Sequence, residues 1–437
     1  MRYIYHFLNP SDIDLHIISI LPTYNHPLLK KPIYSLLAGL LSSGSAEPSM
    51  VKVIPFPNIL PNWSPQNILD VPWTLSCWRF GISGAKSGQK PRTKVMAIIN
   101  VTPDSFSDGH SSIPGVSAQG TDVSLVHSAR SASAALEDGA DILDIGGYST
   151  RPGADFVTVE DEIGRVVPVI QSIRSSSLQS ENTAPISIDT FRPSVALAAL
   201  RAGANLVNDV YALSGSVALQ DPYSFPTPDS HEMRDILKKY NAPVIMMHSR
   251  GEAGSNKDYS SYVTSAGHEG IPAVVSGIRE ELGKKVKWAI EGQGGLRRWQ
   301  VLVDAGVGFS KTVEGNVDIL KSLDRISENG LDYAGTGHLM TDVYRNPLAG
   351  FPQLLGHSRK SFLGKITQLS YPLDASKLNV ADADQKNASA KKRSARELDC
   401  ASAVVTGLAV QKGVEIVRVH DVKGAVDALK VASALYL

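Results

Sequence analysis

The chain has 437 residues, and its 43 Lys and Arg residues balance 43 Asp and Glu residues, so the formal net charge is zero. Hydrophobic residues make up 43% of the chain, which provides ample material for a globular core. A neutral chain without a long basic block is not typical of nucleic-acid-binding proteins, and its two cysteines exclude a disulfide scaffold and a cysteine-based zinc cluster.

Residues 1–92 predict an irregular leader. The stretch 55–65, with the sequence PFPNILPNWSP, contains four prolines. Proline removes a backbone donor and restricts the residue before it, so this stretch cannot hold a helix. We expect a linker, or an extended segment that wraps around the next domain.

From residue 93 onward, short segments rich in Val, Ile and Ala alternate with stretches of helix length, including 123–138, 195–202 and 402–411. This alternation is typical of βα units around a parallel sheet. Eight such units predict an α/β fold of the (β/α)₈ TIM-barrel type. An open, doubly wound sheet is the alternative, because periodicity does not reveal closure. The predicted strands are 95–100, 142–145, 186–189, 206–209, 244–247, 301–304, 353–356 and 416–420.

Two stretches interrupt the alternation. Residues 250–300 contain Gly, Ser and Lys/Arg clusters and predict a long connection with one amphipathic helix over 274–286. Residues 367–396 combine Asp, Asn and Ser with a basic cluster, which predicts an exposed insertion. We therefore expect a barrel domain over 93–437 with insertions near 250–300 and 367–396.

Nearly every predicted strand runs into polar residues, and in a TIM barrel the carboxyl ends of the strands form the active-site mouth. A single Asp or His at such a position is usually a helix cap or a hydrogen-bonded structural residue. The same placement at all eight strands favours one shared functional mouth, because uncompensated burial of so many polar groups would be unfavourable.

The cationic side chains at this mouth match an anionic ligand. They provide positive charge and directional donors, as phosphate oxygens require. Asn100 offers a neutral oxygen to a cation such as Mg²⁺, which keeps several waters and is completed by substrate phosphates. The cationic residues are Arg151, Lys360, Arg418 and His420.

The remaining mouth residues match a flat, nitrogen-rich ring. Asp189 and Asp304, together with Asn208, offer oxygen acceptors to several ring N–H groups. Met247 and Phe309 would pack against the ring faces. The composition of the mouth thus predicts a planar heterocycle deep in the barrel and a diphosphate at its rim.

At these residues the sequence closely resembles the dihydropteroate synthases of folate biosynthesis. The resemblance covers roughly residues 94–437, and its segments occur in the family's order. The matching segments are 99–109 (INVTPDSFSDG), 141–153 (DILDIGGYSTRPG), 186–190 (ISIDT), 208–209 (ND), 247–248 (MH), 304–309 (DAGVGF), 358–361 (SRKS) and 418–421 (RVHD).

The resemblance implies a TIM-barrel transferase that joins 4-aminobenzoate to (7,8-dihydropterin-6-yl)methyl diphosphate and releases 7,8-dihydropteroate and diphosphate. It implies Mg²⁺ at Asn100. It also implies that the catalytic residues are Asp189, Asp304, Lys360, Arg418 and His420. Pterin contacts fall on Asp189, Asn208, Met247, Asp304 and Lys360, and diphosphate contacts on Arg151, Arg418 and His420. The aminobenzoate site would be shaped by Thr150, Pro152, Phe309 and Ser361.

The same family is fused behind a pyrophosphokinase in many lower eukaryotes. About 92 residues are too few for a complete kinase and a linker. The leader is then a remnant of that kinase domain in a multifunctional enzyme, a docking segment or a gene-model artefact. Two rival functions stay open for the barrel itself, a pterin-binding methyltransferase and a catalytically silent binding module.

Several expectations concern the cellular location and the partners of the protein. The apolar run at 15–21 follows Asp12 and Asp14 and is shorter than the roughly 18 residues that cross a bilayer, so we expect no membrane association. The low cysteine count suits a reducing compartment, and we expect the cytoplasm, with the mitochondrial matrix as the alternative. We expect small-molecule substrates and no nucleic acid, and the resemblance implies a homodimer.

Overall fold

The computed structural model describes residues 52–54, 78–80, 93–101, 121–149, 155–262, 270–292, 294–328, 331–332, 344–369, 394 and 396–436. Eight parallel strands in these ranges close into a barrel. Each strand lies within one residue of its predicted bounds, so the TIM barrel is confirmed and the open-sheet alternative is wrong. The strands are β1 Lys94–Asn100, β2 Ile142–Gly146, β3 Ile186–Asp189, β4 Leu206–Asp209, β5 Val244–Met247, β6 Val301–Asp304, β7 Gln353–Leu355 and β8 Ile416–Val419.

Helices follow the strands. The predicted stretch 123–138 is a helix that begins two residues earlier and ends one residue earlier, and the stretches 195–202, 274–286 and 402–411 are extended by a few residues at one or both ends. The main helices are α1 Thr121–Glu137, α2 Val159–Arg174, α3 Pro193–Ala202, α4 Pro228–Tyr240, α5 Ala273–Ile290, α6 Val313–Lys321, α7 Ser361–Thr367, α8 Asp399–Gln411 and α9 Val422–Tyr436.

Local capping explains where several helices begin. The Thr158 hydroxyl accepts from the Asp161 amide at 3.1 Å before α2, and the Thr312 hydroxyl accepts from the Gly315 amide at 2.9 Å before α6. A side-chain oxygen at this position satisfies one of the amides that has no partner within the helix. Helix α3 instead starts on Pro193, whose fixed φ suits a first turn.

The interior of the barrel has an apolar layer at its base, which we call the floor. Seven strands contribute one buried side chain each to it. On β3, Ile186 and Ile188 point outward into the helix-facing core, so Ser187 and Asp189 alternate toward the interior. The floor residues are Met96, Ile142, Leu206, Ile245, Leu302, Leu354 and Ile416.

The two-residue repeat of a strand places a polar layer above the floor. Two positions beyond floor residues, the chain has Asp144 on β2, Asn208 on β4, Asp304 on β6 and Arg418 on β8. Asp189 occupies the equivalent level on β3, because it pairs in register with Asn208. The fold therefore gathers polar side chains from five strands above an apolar base, and four of them are charged.

Parts of the predicted domain division lie outside the described ranges. In the leader, only the antiparallel strands Lys52–Ile54 and Trp78–Phe80 are described. Most of the stretch 367–396 is likewise outside them, and 250–300 contains helix α5. The division into 1–92 and 93–437 therefore stays a prediction. Within the described ranges, the helices are too short or too polar to cross a membrane.

Candidate active site

Arg418 joins two carboxylates at the centre of the polar layer. Its Nε atom lies 2.5 Å from Asp144 Oδ2, and its Nη2 atom lies 2.5 Å from Asp189 Oδ2. Asn208 Nδ2 donates to the same Asp144 oxygen at 3.1 Å. Three predicted site residues, Asp189, Asn208 and Arg418, therefore form one hydrogen-bonded group around a fourth side chain, Asp144.

Asp144 is a site residue that the sequence interpretation missed. Its side chain is fully buried, and its Oδ1 atom has no hydrogen-bond partner among the described residues. The signal was present in the sequence, because a charged residue in the middle of an apolar strand requires a partner when it is buried. Arg418 is that partner, and the pair fixes the guanidinium within the barrel.

Burial raises the pKa of Asp189 to about 7. The neighbouring Arg418 opposes this rise, whereas the carboxylates of Asp144 and Glu162 add to it. Removing a carboxylate from water disfavours its charged form, and nearby like charges act in the same direction. Asp189 therefore exchanges its proton close to neutral pH, which is typical of groups at functional sites.

The second predicted ring acceptor, Asp304, ends strand β6 and is 4% exposed. Its Oδ1 atom accepts from the Gly306 amide at 2.7 Å. Burial raises the pKa of Asp304, against the opposing effects of this amide and of Lys360. Asp304 therefore carries a carboxylate at the same level as Asp189, with one oxygen held by its own loop.

Lys360 and Phe309 are in contact with each other at the mouth. The Lys360 Nζ atom lies 4.0 Å from the centre of the Phe309 ring, which is the geometry of a cation–π contact. A side chain at Gly308 would place Cβ 2.8 Å from Lys360 Cδ, so the lysine stem passes directly over this glycine. Ser361 follows as the exposed first residue of α7.

His420 follows strand β8, and two contacts to one hydroxyl fix its position. Its backbone amide and its ring Nδ1 atom each lie 3.1 Å from Ser358 Oγ. Ser358 follows β7 and is buried, so the hydroxyl links the ends of two adjacent strands. Asn100 is the last residue of β1, and its side chain is exposed.

Met247 is 5% exposed at the end of β5 and belongs to a small apolar cluster above the floor. The cluster also contains Phe191 and Tyr211, whose rings meet edge to face at 5.0 Å, and Phe309 packs against it. An apolar wall thus faces the carboxylates. The predicted contacts Thr150, Arg151 and Pro152 lie in the range 150–154, outside the described residues.

A closed parallel barrel with buried carboxylates, cations and an apolar wall at its carboxyl end defines a barrel enzyme for a polar, planar small molecule. A sequence profile of the family described as pterin binding enzyme matches residues 96–420. The dihydropteroate synthase of Bacillus subtilis is 32% identical over 346 residues, which are 79% of this chain and 90% of that protein. The dihydropteroate synthase of Synechocystis is 33% identical over 347 residues, 79% of this chain and 91% of that protein.

Solved structures agree with the sequence relatives. The Xanthomonas albilineans dihydropteroate synthase with 4-aminobenzoic acid is 31% identical, with a TM-score of 0.53 over 79% of this chain and 93% of that one. The Burkholderia cenocepacia enzyme complexed with 7,8-dihydropteroate is 29% identical, with a TM-score of 0.53 over 79% of this chain and 91% of that one. The chain therefore belongs to the pterin-binding enzymes, in the dihydropteroate synthase branch of that family.

Proposed function

We propose that the barrel mouth binds (7,8-dihydropterin-6-yl)methyl diphosphate and joins its methylene carbon to the amine of 4-aminobenzoate. The products are 7,8-dihydropteroate and diphosphate. The observation that carries this proposal is the buried group of Asp144, Asp189, Asn208 and Arg418 above the apolar floor. Its oxygen acceptors match the N–H groups of the pterin, and the Arg418 guanidinium matches the diphosphate. The relatives with bound 4-aminobenzoic acid and 7,8-dihydropteroate support the same assignment.

In this proposal, the hydrogen-bond acceptors of the polar layer bind the pterin. Asp189 and Asp304 offer carboxylate oxygens to the ring N–H groups, and Asn208 adds an amide beside them. Met247 provides a polarizable apolar contact for the ring face. Because these groups are held by strands, the ring would meet a largely preformed surface, which limits the entropy lost on binding.

In this proposal, Arg418 and His420 bind the diphosphate, and Arg151 is a further contact. Arg418 is paired with Asp144 and Asp189 in this structure. We propose that pterin N–H groups replace its contact with Asp189 on binding, which frees guanidinium N–H groups for the phosphate oxygens. Bidentate contact with phosphate is the geometry that arginine favours.

Breaking the C–O bond at the methylene carbon leaves positive charge on the pterin and sends the electron pair to the departing diphosphate. Asp189 and Asp304 stabilise the cationic pterin, and Arg151, Arg418 and His420 stabilise the leaving group. The amine of 4-aminobenzoate then forms the C–N bond and releases its proton to solvent or to the diphosphate. This dissociative route requires no nucleophile from the protein.

The residues at the mouth fit a Mg²⁺ ion that is bound mainly through the substrate. Asn100 is exposed at the end of β1 and offers one neutral oxygen, and the described residues contain no cluster of three or more carboxylate, His or Cys ligands. Mg²⁺ commonly takes one or two protein oxygens and completes its shell with water and phosphate. When bound, it supplies positive charge to the diphosphate oxygens.

The aminobenzoate ring is assigned to the outer part of the mouth. Phe309 provides an aromatic face, Lys360 lies over that face, and Ser361 opens helix α7 beside it. Thr150 and Pro152 complete the site in this proposal. The Lys360 ammonium is suited to an acceptor on the pterin beside this ring.

We further propose a cytoplasmic homodimer. Exposed apolar side chains on the last two helices support an interface between copies, because removing apolar surface from water is favourable. Val404 is 74% exposed on α8, and Val431 and Leu435 are 62% and 69% exposed on α9. The low cysteine count agrees with a reducing compartment.

The deciding experiment measures diphosphate release by the purified full chain with and without 4-aminobenzoate, in the presence of Mg²⁺. The proposal expects release that depends on 4-aminobenzoate, together with formation of 7,8-dihydropteroate. A pterin-binding methyltransferase would bind the pterin without releasing diphosphate, and a silent barrel would release none with either addition. Either of these two results would reject the proposed reaction.

A further inference from the structure

A buried ionic chain runs behind the aminobenzoate side of the mouth, separate from the Arg418 group. It starts at Glu281 on helix α5, whose Oε2 atom lies 2.9 Å from His248 Nε2. The His248 Nδ1 atom lies 3.1 Å from Lys311 Nζ, and this ammonium donates to the Phe309 carbonyl at 2.8 Å. The chain therefore ends on the backbone of a residue that shapes the site.

The direction of the hydrogen bonds follows from the chemistry of lysine. An ammonium group has no acceptor, so the protonated Lys311 donates to His248 Nδ1 and the ring proton lies on Nε2, where it donates to Glu281. Burial and the Lys311 charge lower the pKa of His248 to about 4, which keeps the ring neutral. The Glu281 pKa lies below its usual range, because hydrogen bonds from His248 and Arg250 outweigh the effect of burial.

The loop between β6 and α6, which Lys311 contacts through the Phe309 carbonyl, has little freedom to shift. A side chain at Gly306 would place Cβ 1.9 Å from the His248 carbonyl oxygen, and this residue adopts a φ of +66°. The Gly308 amide donates to Asn316 Oδ1 at 2.6 Å, and the Ser310 amide donates to the Ala253 carbonyl at 2.8 Å. Between these two contacts, the Lys311 side chain holds the backbone carbonyl of Phe309.

Charged groups face Lys311 from several elements. Asp304 on β6 and Glu281 on α5 favour its protonated form, whereas Arg250 and Lys360 disfavour it. Burial has the largest effect, and the pKa of Lys311 falls to about 7. A buried ammonium at this position requires a strong set of acceptors, and the carbonyl of Phe309 is one of them.

We propose that Lys311 is a positioning residue for 4-aminobenzoate. Its ammonium holds the Phe309 carbonyl and thereby fixes the aromatic ring under Lys360, and the Glu281–His248 pair holds the ammonium in turn. This inference rests on the proposed function of the mouth, because it assigns Phe309 to the aminobenzoate side. It predicts that losing the ammonium weakens binding of 4-aminobenzoate more than binding of the pterin diphosphate, because the pterin contact of this loop, Asp304, is held by strand β6 and by the Gly306 amide.

The test compares steady-state kinetics of the wild-type chain with Lys311→Met, which keeps the length of the stem and removes the charge. We expect the KM for 4-aminobenzoate to rise about tenfold, as for a lost charge-assisted hydrogen bond. The KM for the pterin diphosphate should rise by a smaller factor, no more than about threefold. The matched control is Lys285→Met, which removes a partly buried lysine that likewise donates to a loop carbonyl, that of Tyr211 at 3.1 Å.

A purely structural role for Lys311 predicts a lower melting temperature in both lysine variants and no selective change in either KM. That result, or equal rises in both KM values, would overturn the inference. An inactive wild-type chain would reject the proposed function instead, so the two failures are distinct.

If Lys311→Met does not fold, His248→Leu and His248→Asn decide the question. Leucine removes the acceptor for Lys311 and should raise the KM for 4-aminobenzoate, whereas asparagine keeps an acceptor near the Nδ1 position and should restore it. Equal KM values in these two variants would also contradict the proposal.

Discussion

At the scale of single residues, the dominant feature is one guanidinium between two carboxylates. Arg418 contacts Asp144 and Asp189 at 2.5 Å each, and Asp144 is completely buried. Breaking a buried ion pair leaves an uncompensated charge and is strongly unfavourable. Asp144 therefore keeps Arg418 inside the barrel, while Asp189, at the mouth, is the partner that a substrate can replace.

Replacing Asp189 by asparagine should reduce the rate of diphosphate release strongly. The variant loses one charge-assisted contact to the cationic pterin, which raises the activation free energy by about 2–4 kcal/mol. Steady-state assays of kcat/KM measure the loss. The matched control is Asp209→Asn, a buried carboxylate at the end of β4 that accepts from the amides of Tyr211 and Leu213. It should lower stability with a much smaller change in rate, and an unchanged rate in Asp189→Asn would argue against charge stabilisation.

The raised pKa of Asp189 predicts a pH dependence. Only the carboxylate accepts hydrogen bonds from the pterin with both oxygens, and it predominates above a pKa of about 7. The kcat/KM for the pterin diphosphate should therefore rise as pH increases through this value. Ionisation of the substrate diphosphate contributes in the same range, so the profile of Asp189→Asn serves as the reference. An identical rise in that variant would assign the whole effect to the substrate.

At the scale of elements, the strand–loop–helix units set the positions of these side chains. The loop between β6 and α6 shows this most clearly, because Gly306 adopts a left-handed φ and passes close to the His248 carbonyl. The amide of this glycine also donates to Asp304. One small residue therefore joins two strand ends and orients the carboxylate of Asp304.

Gly306→Ala should lower both stability and activity. The added Cβ meets the His248 carbonyl and the backbone is strained at this φ, which together should reduce the free energy of unfolding by roughly 2–5 kcal/mol. Urea unfolding and kcat/KM measure the two effects. Gly164→Ala is the control, because it lies within α2 with no atom near the added Cβ. It should stabilise the chain by about 0.5–1 kcal/mol, and similar effects of both variants would contradict the role of the loop.

The sequence predicted these elements well where one local pattern decided them. Apolar runs located all eight strands, since both faces of a barrel strand are covered. Helix α5 extends four residues beyond its predicted end at 286, because residues such as Trp288 continue a packed face that local composition does not display. Polar strand ends predicted Asp189, Asn208 and Arg418 together. Asp144 and Lys311 were not assigned, because their importance arises from contacts with residues distant in sequence, Arg418 and His248.

At the scale of the whole molecule, the apolar floor and the polar mouth are consecutive layers of one closed interior. The floor takes side chains from seven strands. A closed barrel has no free sheet edge, so loosening one strand exposes the interior to which the others contribute. The layers should therefore unfold as a cooperative unit.

Leu302→Ala in the floor should reduce the free energy of unfolding by roughly 2–5 kcal/mol, because it leaves a cavity among fixed strands. The KM values should stay close to those of the wild type in conditions where the variant is folded, since the mouth lies one layer above. Urea unfolding followed by fluorescence and by circular dichroism measures the loss and its cooperativity. Leu178→Ala, at a side chain 56% exposed, should change stability by less than about 0.5 kcal/mol. Separate transitions for the two probes would contradict a single cooperative unit.

The mouth combines side chains from the first strand of the barrel to the last, from Asn100 to His420. A fragment that lacks the first or the last strand of the barrel should therefore not assemble the mouth, because each of these strands contributes a residue of the proposed site. The opposite rim carries none of them. Asn241, in the left-handed turn between α4 and β5, lies on that rim. A circular permutant with its new termini there, and the old ones tethered by a flexible linker, should retain the complete catalytic constellation.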